Sequence, residues 1–230
     1  MHKGYFITGT DTGIGKTHIS CTLLAAFDSR ELRTAAMKPV ASGCQLTDDG
    51  WRNDDALQLQ QAANISLTYE DINPYALPAA MSPHLAARKI GVEINIDTLQ
   101  LKYEELSQRA DVTIVEGVGG WWVPLNDRQS TTDLARQLGL PLIVVVGIRL
   151  GCINHTMLTF DAITRTADNP AVVGWVANII DPETPGIPDI ISTLQQAIDA
   201  HCLGTLPYLQ KIEARSAIEQ AGLLNVDMLL

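Results

Sequence analysis

Gly9-Thr10-Asp11-Thr12-Gly13-Ile14-Gly15-Lys16-Thr17 lies between an apolar run, Tyr5-Phe6-Ile7, and a helical pattern starting near Lys16 with Ile19, Leu23 and Phe27 on one face. A glycine-rich turn from strand to helix curls so that successive backbone N–H groups point inward at an anion. The N-terminus of the helix adds its partial positive charge. In that setting Lys16 reaches the β and γ phosphates of a nucleotide, and the Thr17 hydroxyl is placed to ligate Mg²⁺. Such loops are spaced as Gly, four residues, then Gly-Lys-Ser/Thr; here Thr10 takes the place of the first glycine and Gly9 stands one residue earlier. A plain turn needs one or two of these glycines and has no use for a lysine followed directly by a hydroxyl residue. The chain therefore reads first as a nucleotide-phosphate binder.

Working outward, strand-like segments recur at Tyr5 to Thr8, Ala35 to Val40, Val112 to Val115, Leu142 to Val146 and Val172 to Ala177, separated by helical segments. They are nearly continuous apolar runs, as expected where both faces of a sheet are covered. The expected fold is α/β, a P-loop NTPase-like, mostly parallel sheet with helices on both faces, in one domain over residues 1–230. Ligands in such folds sit at the carboxyl ends of the strands. The residues found there are Gly9 to Thr17, Lys38 to Gly43, Glu116 to Gly120, Gly147 to Asn154, and Asn178. A fold that needed only turns would be satisfied by Gly, Asn and Asp, and has no reason to place Lys38 or Glu116 there.

Sixteen basic against 26 acidic residues give a net charge of −10, which opposes generic attraction to nucleic acid or an anionic membrane. Small-molecule partners are expected. Cys21, Cys44, Cys152 and Cys202 are scattered, without a Cys-x-x-Cys pair or metal-ligand spacing. Met1-His2-Lys3-Gly4 leads straight into the first strand, leaving no room for a signal peptide, and no apolar run reaches the ~18 residues of a membrane span. Reduced thiols and a cytoplasmic location are expected.

Glu116, directly after Val112 to Val115, has the place of a carboxylate that holds Mg²⁺; the plain alternative is a strand-end carboxylate turned to solvent. Lys38, stiffened by Pro39 behind it, offers a second ammonium for a transferring phosphoryl group, or else is a surface lysine. Asp54 and Asp55 open a helical stretch, where either could be an N-cap. His2, His18, His84, His155 and His201 form no catalytic pattern. Trp121 and Trp122 are read as wall or core residues.

Taken together, Gly-Thr-Asp-Thr-Gly-Ile-Gly-Lys-Thr at 9–17, Lys-Pro-Val-Ala-Ser-Gly at 38–43, Arg-Asn-Asp-Asp-Ala at 52–56, Glu-Gly-Val-Gly-Gly-Trp at 116–121, Gly-Cys-Ile-Asn-His at 151–155 and Gly-Trp-Val-Ala-Asn at 174–178 resemble the dethiobiotin synthetase family. The likeness runs the length of the chain, in order. It implies a ligase of biotin biosynthesis that uses ATP and Mg²⁺ to close 7,8-diaminononanoate and CO₂ (or bicarbonate) into dethiobiotin, through a carbamate and a carbamic-phosphoric anhydride. It further implies that Lys16 and Lys38 neutralise phosphate, while Thr12 and Ser42 touch the carbamate or phosphate oxygens. Gly13, Ile14, Gly15, Thr17 and His18 would surround the nucleotide, and Gly117, Val118 and Gly119, with Gly120, would line the γ phosphate. Thr17, Asp55 and Glu116 would hold Mg²⁺. Asn178 would read adenine beside Pro207, Tyr208 and Leu209. In a homodimer, Cys152, Ile153 and Asn154 of one subunit would receive the substrate carboxylate of the other.

Two segments depart from that pattern. Asp189-Ile190-Ile191-Ser192 stands where a family tyrosine is expected at the substrate tail, and Gln210 to Glu213 does not match the family's carboxylate beside adenine. The rivals are a nucleotide-switch ATPase of the same fold, disfavoured because its loop usually carries an extra early lysine, and another amide- or carbamate-forming ligase.

Overall fold

The computed structural model of the chain describes residues 2–166, 168, 170–211 and 214–230. β1 (Lys3–Gly9) runs through the glycine-rich loop into α1 (Lys16–Asp28), followed by β2 (Thr34–Met37), β3 (Val40–Ser42), β4 (Gln45–Thr47) and β5 (Gly50–Arg52). Next come α2 (Asp54–Ala62), α3 (Tyr69–Ile72), β6 (Tyr75–Leu77), α4 (Pro83–Lys89), α5 (Ile96–Ser107) and β7 (Val112–Glu116). There follow α6 (Thr131–Leu138), β8 (Leu142–Ile148), α7 (Cys152–Arg165), β9 (Val172–Ile179), α8 (Ile187–Ala197), β10 (Cys202–Leu206), α9 (Ala214–Gln220) and 3₁₀ turns at Ala221–Leu223 and Asp227–Leu229.

Six strands form one parallel sheet in the order β10-β9-β8-β1-β7-β2, flanked by helices. Leu142-Ile143-Val144-Val145-Val146-Gly147-Ile148 is buried at every position, because both faces of this central strand are covered. Around the sheet α1 packs with α2 and α9, α5 with α6, and α7 with α8. The chain runs from β1 toward β2 and β7 on one side, then toward β8, β9 and β10 on the other. That reversal opens a crevice at the carboxyl ends of β1 and its two neighbours. No helix among the described residues is long and apolar enough to cross a membrane.

The expected strand from Ala35 to Val40 is two strands. β2 stops at Met37, and Val40 begins a separate parallel pair of β3 with β6. Pro39 has no N–H to donate to a ladder, and the Lys38 N–H leaves the sheet to donate to the Ile72 carbonyl at 2.7 Å. The helix cap before Asp54 is also corrected. Asn53 is the N-cap, its side chain accepting from the Ala56 N–H at 3.3 Å, and this frees both aspartates from capping. Trp121 is buried, whereas Trp122 is 71% exposed and belongs to no core.

β10 is an edge strand that hydrophobic runs do not announce, since Gly204 interrupts it and only Leu203 and Leu206 are buried. Gly204 has a packing reason: a Cβ there would overlap the backbone carbonyl of Leu223. Gly204→Ala is expected to cost about 2–3 kcal/mol of stability. The urea midpoint should fall with the slope of the transition unchanged.

Candidate active site

Between β1 and α1 the loop turns through Gly13 and Gly15, at φ of 72° and 85°, a region that favours glycine. Gly15 caps α1 without any side-chain hydrogen bond, leaving the first N–H groups of the helix for an anion. The sheet holds this loop from below. The Thr10 N–H donates to Val145 O at 3.2 Å, and Asn178 Nδ2, from the end of β9, donates to Ile14 O at 2.7 Å. Lys16 is buried and rests its ammonium on the Asp11 carbonyl at 2.8 Å. Burial, reinforced by the charge of Lys38, lowers the Lys16 pKa to about 8, against the opposing pull of Glu116, Asp55 and Asp11.

Lys38 reaches the same cleft from the end of β2. Its side chain is only 5% exposed, and its ammonium donates to Glu116 Oε1 at 2.5 Å, Asp55 Oδ2 at 3.2 Å and the Gly117 carbonyl at 3.4 Å. Burial works to lower the Lys38 pKa, but the charges of Glu116 and Asp55 and their hydrogen bonds outweigh it and raise the pKa, so the group stays charged. Thr17 Oγ1 donates to Glu116 Oε1 at 2.8 Å, while Glu116 Oε2 is buried with no partner among the described residues. Two carboxylates and a hydroxyl thus meet as a hard oxygen donor set with an orphaned oxygen among them. That suits Mg²⁺, which binds through one or two carboxylates and completes its shell with phosphate and water.

The cleft has a volume of about 770 Å³, and Thr12, Lys16, Lys38, Ser42, Asp55 and Glu116 are among its walls. Ser42 Oγ is buried with no hydrogen-bond partner among the described residues. Val118 and Gly119 also line the cleft, and Gly117 is pinned by donation of its N–H to Ile7 O at 2.9 Å. His18 lines the cleft but has its Nε2 2.7 Å from Gln220 Oε1. Pro207, Tyr208 and Leu209 follow Leu206, which pairs with Asn178, and are not among the cleft walls. Asn178 is itself 5% exposed and spends its amide on bracing Ile14. Cys152, Ile153 and Asn154 open α7 behind Gly151, at φ 89°, and do not line the cleft of their own chain. Cys152 is buried, and its N–H already donates to Arg149 O at 3.1 Å. Of the segment Gln210 to Glu213, Ile212 and Glu213 lie outside the described residues.

Comparison with known proteins decides which family built this cleft. A family profile described as an AAA domain matches residues 3–216. The ATP-dependent dethiobiotin synthetase BioD of Pseudomonas paraeruginosa is 52% identical over 206 residues, covering 89% of this chain and 90% of the relative. The chain belongs to the dethiobiotin synthetase family. The BioD of Vibrio parahaemolyticus is 45% identical over 230 residues, 99% of this chain and all of that one (100%). Among solved structures, MinD from Pyrococcus horikoshii matches with a TM-score of 0.59 at 15% identity, covering 99% of this chain and 89% of that one. Cobyrinic acid a,c-diamide synthase from Mycobacterium smegmatis gives 0.55 at 16% identity, covering 96% and 93%. Both likenesses establish the P-loop ATPase fold. As a dethiobiotin synthetase family member, the protein is a ligase with an ATP-binding P-loop.

This family member carries a supporting layer behind the cleft that sequence patterns do not announce. Asn73 Nδ2 donates to the Lys38 carbonyl at 2.6 Å, and Tyr69 OH donates to Asn73 Oδ1 at 3.0 Å. The Asn53 N–H in turn donates to the Tyr69 oxygen at 2.8 Å. One chain of bonds therefore fixes the backbone of Lys38 and the start of α2, the helix that carries Asp55. Asn73 follows Ile72 and precedes Pro74 as any loop asparagine would, and only the fold brings it to Lys38.

Proposed function

We propose that residues 1–230 form one carboligase domain that closes 7,8-diaminononanoate and CO₂ into dethiobiotin at the expense of ATP. The observation that carries this reading is the convergence of two buried ammonium groups, Lys16 and Lys38, on one cleft from separate strand ends. Carbamate and γ phosphate are both anions. Bringing them together requires positive groups and N–H donors that are already in place.

In the proposed reaction one amine of the substrate adds to CO₂ and loses a proton, giving a carbamate. A carbamate oxygen then attacks the γ phosphorus and ADP leaves. The second amine attacks the carbonyl carbon of the mixed anhydride and expels phosphate, closing the cyclic urea. Lys16 and Lys38 would balance the charge on the transferring phosphoryl group, and Thr12 and Ser42 would hold the oxygens of carbamate and phosphate. The backbone of Gly117 to Gly120 would line the γ phosphate. Asn178, with Pro207, Tyr208 and Leu209, would border the adenine. Thr17, Asp55 and Glu116 would hold Mg²⁺, which draws negative charge from the phosphate oxygens when bound.

A homodimer in the cytoplasm completes the reading. Leu150, Ile153, Met157 and Leu158 leave an apolar stripe exposed along the start of α7, of the kind a partner subunit covers. The N-terminus of α7 at Cys152 to Asn154 would then meet the substrate carboxylate of the partner's site. Phosphate release should be measured with ATP, Mg²⁺, diamine and bicarbonate, each omitted in turn. It should fall to background without the diamine or without bicarbonate. Release that ignores the diamine would instead favour a nucleotide-switch ATPase.

A further inference from the structure

Asp11 is an unexpected residue for a loop that receives a triphosphate, because its carboxylate repels that anion. It nevertheless holds three parts of the loop together. Its backbone carbonyl accepts the Lys16 ammonium, its Oδ1 accepts the Thr12 N–H at 2.7 Å, and its Oδ2 meets Arg149 Nη2 at 2.7 Å. Arg149 lies in the turn between β8 and α7, and its carbonyl accepts the Cys152 N–H at 3.1 Å. Neither residue lines the cleft.

The side chains of Arg149 and Asp11 are 42% and 43% exposed, so the ion pair contributes little to folding stability. Its electrostatic effect falls on the neighbours instead. Asp11 is one of the charges felt by Lys16, and the net charge of the loop depends on whether the carboxylate is balanced. Thr12 depends on it as well. Its N–H is held by Asp11, and it lines the cleft.

We propose that Arg149 is a positioning residue for nucleotide binding, which acts through Asp11 by neutralising its carboxylate and fixing it on the Thr12 N–H. The inference rests on the nucleotide reading of the loop and adds to it a residue from outside the cleft. An asparagine at position 11 would keep an oxygen for Thr12 and remove the charge, so loss of Arg149 should matter only while Asp11 is ionised.

The test is the affinity for MgATP, by calorimetry and without diamine, in the wild type, Arg149→Ala, Arg149→Lys, Asp11→Asn and the Arg149→Ala/Asp11→Asn double variant. Arg149→Ala should bind roughly tenfold more weakly at low salt, with the deficit shrinking as salt rises. Arg149→Lys should recover most of the affinity, and so should the double variant, while every thermal midpoint stays within about two degrees of the wild type. Wild-type affinity in Arg149→Ala would overturn the proposal, as would a deficit that Asp11→Asn fails to relieve. A wild type that binds no MgATP would remove the nucleotide reading itself, and the proposal with it.

Discussion

Lys38→Ala is expected to turn over at least about a hundredfold more slowly than the wild type, with affinity for ATP kept within a few fold. The split follows from where the ammonium stands. The glycine-rich loop, the start of α1 and Lys16 remain to bind the triphosphate, whereas charge that builds during transfer loses one of its two buried cations. Alanine also leaves Glu116 in the interior without the ammonium that faces it, and breaking a buried pair in this way costs about 3 kcal/mol or more. Circular dichroism and single-turnover phosphate release on folded protein separate the two effects. A folded Lys38→Ala protein with wild-type turnover would remove Lys38 from the mechanism.

Glu116→Gln is the second large effect. The amide keeps the shape of the side chain and can still accept from Thr17, but it removes a charge that faces both Lys38 and the proposed metal position. Turnover should fall by about two to three powers of ten, and the Mg²⁺ concentration for half-maximal rate should rise at least about tenfold. Titrating Mg²⁺ at saturating ATP reads both quantities. An unchanged Mg²⁺ requirement would make Glu116 a partner of Lys38 alone.

The order of Gly9 to Thr17 along the chain is enough to place a phosphate loop, because loop, strand and helix signals there are contiguous. The central strands are legible for a similar reason, since burial on both faces writes an unbroken apolar run such as Leu142 to Val146. Lys38 and Glu116 are found by position alone, as polar residues at the ends of such runs. Their mutual contact is not legible, because 78 residues separate them and the sheet order joins β2 to β7. The same holds for Asn73 and Tyr69 behind Lys38, and for Arg149, which meets Asp11 across 138 residues. β10 escaped for a different reason: an edge strand broken by Gly204 buries too little to leave a run.

The transfer of an atom tests the proposed chemistry most directly. When the reaction starts from CO₂ labelled with ¹⁸O in both positions, one labelled oxygen must leave with inorganic phosphate, because the carbamate oxygen that attacks phosphorus departs with it at ring closure. Mass spectrometry of the released phosphate should find a single ¹⁸O per molecule, with the other retained in the urea carbonyl of the product. Phosphate without label, formed as fast as dethiobiotin, would mean that water and not carbamate takes the γ phosphoryl group, contradicting the convergence of Lys16 and Lys38 on a carbamate.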